Sequence, residues 1–165
     1  MSTPYAPDKL IAQARALAAE YRRAMGKPLP GVSTEIAEHD AVRLLGLEPS
    51  AQAAGGWDAV DPATGERIQI KSRTIFDESK GGERMGQLKL NQEWDAVVLV
   101  LMDEDYEPYE IYRATREELS EYADSSSANR AKRGAMSVAR FKIIGELVWD
   151  AVNGRRDEVW DNQPG

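Results

Sequence analysis

Residues 55–73 read GGWDAVDPATGERIQIKSR, and this stretch holds the chemistry of the chain. Side chains alternate across a strand, so Ile68 and Ile70 are expected on one face and Arg67, Gln69 and Lys71 on the other. The turn signal Asp61-Pro62, closed by Gly65, folds the strand back on the one before it, which carries Asp58. An amide oxygen, an ammonium group and a carboxylate are thereby brought close together. A hard divalent cation takes oxygen ligands and keeps several waters. Asp58, Gln69 and the Ile70 carbonyl can supply such a set, with Lys71 as a point charge beside them. A metal that polarises phosphate and activates water, together with a cation that stabilises developing charge, is equipment for phosphodiester hydrolysis.

Elements on either side must position these residues. A helix is expected from Pro7, with Leu10, Ala14, Leu17, Ala18 and Tyr21 at helical spacing and Gly26 and Pro28 ending it. A second helix is expected over residues 33–45, with Ser33 as N-cap and Gly46 as the stop. It carries Glu35 in its first turn, with Glu38 one turn further on as a competing carboxylate. A short strand over 57–60 precedes the return strand over 67–72. The glycine-rich, charged segment 79–86, with Lys80, Arg84 and Gln87 nearby, reads as a loop able to close over a substrate. Residues 94–102 (WDAVVLVLM) form a near-continuous apolar run, the pattern of a strand buried on both faces. A turn at 103–105 leads to a strand over 108–113. Thr115 and Glu118 then form a capping box for a helix to about residue 123. Residues 137–150 fit helix and strand equally. The order implies an α/β domain over residues 1–152, with a small mixed central sheet flanked by helices, and a flexible tail over 153–165.

An acid on a helix, then Asp on a strand, then a hairpin return carrying Gln-x-Lys resembles the PD-(D/E)XK nuclease superfamily, the restriction endonuclease-like fold. The resemblance covers residues 33–102, with Glu35 at the helix position, Asp58 as the motif aspartate and Gln69-Ile70-Lys71 as the final motif. Trp57 stands where the motif has proline, and Gln69 where it usually has an acid, as in Q-x-K branches of the superfamily such as the Mrr-like proteins. The resemblance implies a Mg²⁺-dependent (or Mn²⁺-dependent) endonuclease acting on DNA. It would leave 5′-phosphate and 3′-hydroxyl ends, work as a homodimer so that two sites cut a duplex, and belong to restriction or anti-phage defence, with targeting supplied by loops or by a partner protein. Glu35, Asp58, Gln69 and Lys71 would be catalytic; Glu35, Asp58, Gln69 and Ile70 would hold the metal.

Composition bounds these expectations. The net charge of −7 counts against a nucleic-acid partner, which favours a basic surface. The charge is uneven, however: residues 103–124 are rich in carboxylates, whereas residues 128–143 hold Arg130, Lys132, Arg133, Arg140 and Lys142 without an acid. Arg130, Lys132, Arg133 and Arg140, with Ser72 and Arg73, are the expected phosphate contacts. The chain has no cysteine, which excludes a disulfide framework, a thiolate nucleophile and a Cys-ligated zinc site. Its one histidine, His39, argues against a Ser-His-Asp triad. No apolar run approaches membrane-spanning length, and the first ten residues lack signal-peptide order, so a cytoplasmic protein without membrane contact is expected. Each residue also has a plainer role. Glu35 can be a first-turn acid favoured by the helix dipole; Gln69 and Lys71 can be a solvated strand face; Asp61 can be an Asx-turn residue rather than a rival ligand; Trp57 and Trp94 can be core. The competing functions are a nuclease-fold module with a decayed metal site that binds DNA or a protein, and an acidic protein that imitates nucleic acid.

Overall fold

The structure is a computed structural model that describes residues 6–50, 56–77, 83–85, 88, 92–125 and 136–156. Helix α1 spans Pro7–Met25, with proline in its first turn and Gly26 ending it in the left-handed region at φ 73°. Helix α2 spans Val32–Leu45. Its N-cap is Gly31 at φ 83°, and no side chain caps it. The expected cap, Ser33, instead lies inside the first turn. Gly31 takes the left-handed conformation that a side chain resists, and so starts the helix before Ser33 is reached.

Seven strands form one sheet, β1 (Glu48–Pro49), β2 (Ala59–Val60), β3 (Arg67–Thr74), β4 (Ala96–Met102), β5 (Pro108–Thr115), β6 (Glu146–Asp150) and β7 (Gly154–Arg155), in spatial order β1-β2-β3-β4-β5-β6-β7. Every neighbouring pair is antiparallel except β3 and β4, which run parallel. A parallel pair needs a long crossover, and residues 75–95 provide it. Of the loop expected at 79–86, only residues 83–85 are described. Helix α3 (Arg116–Ser125) follows β5, and α4 (Val138–Ile144) precedes β6. The undecided window 137–150 thus contains a short helix and then a short strand. Of the tail expected over 153–165, residues 154–156 are tied to the sheet, because β7 pairs with β6 and Arg156 bonds Asp150; residues 157–165 lie outside the described residues.

β4 is buried along its whole length, as its unbroken apolar run implies. Ala96, Val98, Val100 and Met102 pack with Ala18, Ile36, Ala37 and Ala41 of α1 and α2. Val97, Leu99 and Leu101 pack on the other side with Leu119 of α3 and with Val138 and Phe141 of α4. Helices therefore cover both faces of a mixed sheet. Among the described residues no helix is long and apolar enough to cross a membrane.

One buried charge cluster joins the layers. Asp40 on the inner face of α2 is fully buried, and Arg15 of α1 grips both its oxygens at 2.9 and 2.7 Å. The same guanidinium donates to the Tyr106 carbonyl in the β4–β5 turn. Tyr106 needs that hold: its φ of 64° is unusual for a bulky residue, and its ring is buried in the first core. A buried charge pair that loses one partner leaves the other uncompensated, at about 3–5 kcal/mol. Asp40→Ala is therefore expected to lower unfolding stability by about that amount in urea titrations. A loss under 1 kcal/mol would mean that water already reaches the pair.

Candidate functional site

The candidate site lies where β2 and β3 part. β2 pairs with β3 through only two residue pairs, Ala59↔Ile68 and Val60↔Arg67. Just before β2, the Asp58 N–H donates to the Ile68 carbonyl at 2.8 Å. The Asp58 carboxylate then accepts from the Ile70 N–H, also at 2.8 Å. A side chain thus completes the ladder after the strand partner has ended. Within a strand the N–H and C=O of one residue face the same edge, so the Ile70 carbonyl opens towards Asp58.

The expected alternation on β3 holds. Ile68 and Ile70 belong to the core under α1 and α2. Gln69 and Lys71 stand opposite Val97 and Leu99 of the other face. That face is not solvated at residue 69. Gln69 is only 7% exposed, and its Nε2 donates to the Gly56 carbonyl at 3.0 Å. Its Oε1 is buried and finds no hydrogen-bond partner among the described residues. Such an atom normally has a partner, because leaving it bare costs about 1–3 kcal/mol.

Helix α2 adds carboxylates from the other side. Glu35, the expected helix acid, is exposed, whereas Glu38 is half-buried. Burial, then the charges of Asp58 and Glu35, push Glu38 up to about 7. Glu38 is therefore the α2 carboxylate most strongly coupled to Asp58, with Glu35 as its neighbour. Burial also raises Asp58, opposed by the Ile70 N–H and the Lys71 charge. The approach of Lys71 to Asp58 keeps this crowd of acids from ionising at full cost. The i, i+3 spacing of Glu35 and Glu38 was the sequence signal for the second carboxylate.

The other expected residues have more ordinary surroundings. Asp61 accepts from Ala63 N–H at 3.0 Å and from Arg113 at 3.2 Å, which makes it an Asx-turn residue rather than a rival ligand. Trp94 is core. Trp57 is partly buried against the second core, with the Arg67 guanidinium 5.3 Å from its ring. His39 is half-buried and faces Asp8 at 3.0 Å, tying α2 to α1. Among the expected phosphate contacts, Ser72 is half-buried. Arg73 is exposed and pairs with Glu83 at 2.9 Å. Arg140 lies on α4, 5.6 Å from the Tyr122 ring. Arg130, Lys132 and Arg133 lie outside the described residues.

Among the described residues no group of three or more His, Asp or Glu side chains forms a ready metal cage. The donors at the fork are nonetheless all hard oxygens. Mg²⁺ keeps much of its water shell and needs only one or two carboxylates from a protein. The unpartnered Gln69 Oε1 and the Asp58 carboxylate fit that demand. No protein-family model matches this chain, and no curated protein gives a match.

Glu38 also sets a pH dependence. Its folded-state value of about 7 lies above the ordinary carboxylate range, so the native state holds more protons than the unfolded chain in between. Stability should therefore fall as pH rises from about 4.5 to about 7 and level off beyond. Asp58 is raised as well and adds a slope of the same sign. Glu38→Gln should flatten this dependence and melt higher than wild type at pH 8 in the presence of a chelator. A variant with the wild-type pH profile would remove Glu38 from the cluster.

Proposed function

We propose that this chain is a metal-dependent nuclease of the PD-(D/E)XK type that hydrolyses DNA phosphodiester bonds. The observation that carries the reading is a pair on β3: the buried Oε1 of Gln69, without a hydrogen-bond partner among the described residues, and Lys71 two residues on, whose charge acts on the Asp58 carboxylate. The mixed, helix-flanked sheet is of the kind the resemblance implies and supports the reading.

Asp58, Gln69 Oε1 and the Ile70 carbonyl would hold Mg²⁺ or Mn²⁺, with Glu38 or Glu35 completing the set directly or through water. The bound ion would polarise the phosphate and lower the pKa of a coordinated water. Asp58 is fixed by the Ile70 N–H, so its other oxygen has a defined direction. Lys71, whose charge acts on Asp58, would stabilise the negative charge that develops on the phosphate. Glu38, with a value of about 7, can exchange a proton near neutral pH. Cleavage of both strands would take a homodimer. A cytoplasmic role in restriction or defence belongs to the same proposal, by analogy alone.

A second reading has its own support. Arg67, Arg73, Arg113 and Lys142 each pair with carboxylates of this chain, which leaves them less able to neutralise phosphates. That favours a non-catalytic module on the same fold, binding DNA or a protein.

Nicking of supercoiled plasmid in Mg²⁺ or Mn²⁺ separates the two. Wild type should cut, and Lys71→Ala and Asp58→Ala should each lose on the order of a hundredfold or more. Equal activity in wild type and variants would point to a contaminant. Absence of cutting on plasmid, branched DNA and RNA alike would leave the binding module as the better account.

A further inference from the structure

Gln69 is held by one end only, and the holder tells its two ends apart. The Gly56 carbonyl is an acceptor, so only the amide nitrogen can face it; the 3.0 Å bond from Nε2 fixes which way the side chain lies. The oxygen end is buried and has no hydrogen-bond partner among the described residues.

Gly56 is itself held in place. Its φ of 92° suits glycine alone, and a Cβ there would stand 2.7 Å from both Cβ and Oε1 of Gln92. The Gln92 and Trp94 carbonyls each accept from Arg116 Nη1 at 2.9 Å, at the start of α3. A line of contacts thus runs from α3 through residue 92 to residue 56 and on to the amide of residue 69.

We propose that the Gly56 carbonyl sorts the two ends of the Gln69 amide, and so specifies a neutral oxygen donor for a hard divalent cation where an acid would misfit. Glutamine here is then a matched part of the site rather than a weakened copy of an acidic ligand. A glutamate would set a charged acceptor against the Gly56 carbonyl in a buried position. The cation-facing half of this inference rests on the nuclease reading. The sorting of the amide does not.

The test compares Gln69→Glu with Gln69→Met, which also loses the bond to Gly56 but carries no charge. At pH 8 without metal, Gln69→Glu should melt at least about 5 °C below Gln69→Met; melting level with or above Gln69→Met would overturn the sorting. If the glutamate variant does not fold, the Gln69 side-chain NH₂ of wild type decides by NMR. It should be protected from hydrogen exchange, and solvent-like exchange would overturn the proposal. Calorimetry with Mn²⁺ tests the other half. Gln69→Glu should bind no tighter than wild type, and tenfold tighter binding would show that an acid is tolerated. Wild type without Mn²⁺ affinity would sink the cation-facing half together with the nuclease reading, while the melting comparison still decides the sorting.

Discussion

A buried backbone N–H must find an acceptor. At Ile70 the strand that should supply one has already ended. β2 is two residues long, whereas β3 continues for eight, and the Asp58 carboxylate fills the first vacant place on the ladder. The geometry of the fork follows from that substitution. A longer β2 would have paired its backbone with Ile70 and closed the edge. With Asp58 in that role, one carboxylate oxygen is committed to the fold and the strands diverge around the other. The Ile70 carbonyl faces the same edge, and the Gly56 carbonyl reaches the Gln69 amide. A single hydrogen bond thus serves the sheet and orients the group best suited to hold a cation.

Around this fork the chain concentrates acids in a way that stability alone does not favour. Burial, and then the charges of Asp58 and Glu35, disfavour ionisation of Glu38, and burial does the same to Asp58. Lys71 offsets part of this at Asp58. The contrast with Asp40 is instructive, since that carboxylate is more deeply buried yet has a bidentate arginine. Asp40 is fully paired, whereas at the fork Glu38 is raised by burial and by neighbouring acids. Groups of this kind cluster at sites built to bind or react.

What could be read from the sequence was local. The run at residues 96–102 announced a strand covered on both sides, the Thr115–Glu118 reciprocal bonds matched a capping box, and Asp61 closed its turn as its neighbours implied. Asp58, Gln69 and Lys71 could be grouped because a hairpin and a two-residue period suffice to do so. The rest depended on distant contacts. Arg15 and Asp40 look like ordinary charges on helices until α1 and α2 face each other. The burial of Gln69 depends on a glycine thirteen positions away. Glu38 rather than Glu35 turns inward because of how α2 rolls on the sheet. Residues 137–150 defeated periodicity because a seven-residue helix and a five-residue strand share one window.

The Arg15 clamp also bears on the order in which the chain can assemble. Arg15 and the Tyr106 carbonyl it holds are 91 residues apart in sequence. On a ribosome adding about 5–20 residues per second, roughly 5 to 18 s pass between synthesis of the two. During that interval α1 and α2 can pair through Arg15 and Asp40, but the sheet surface that covers their apolar stripe does not yet exist. Strand β4, the buried centre of both cores, is itself made only just before the turn. The nascent helical pair is therefore the stretch of this protein most exposed to wrong partners, and the first on which a chaperone would act.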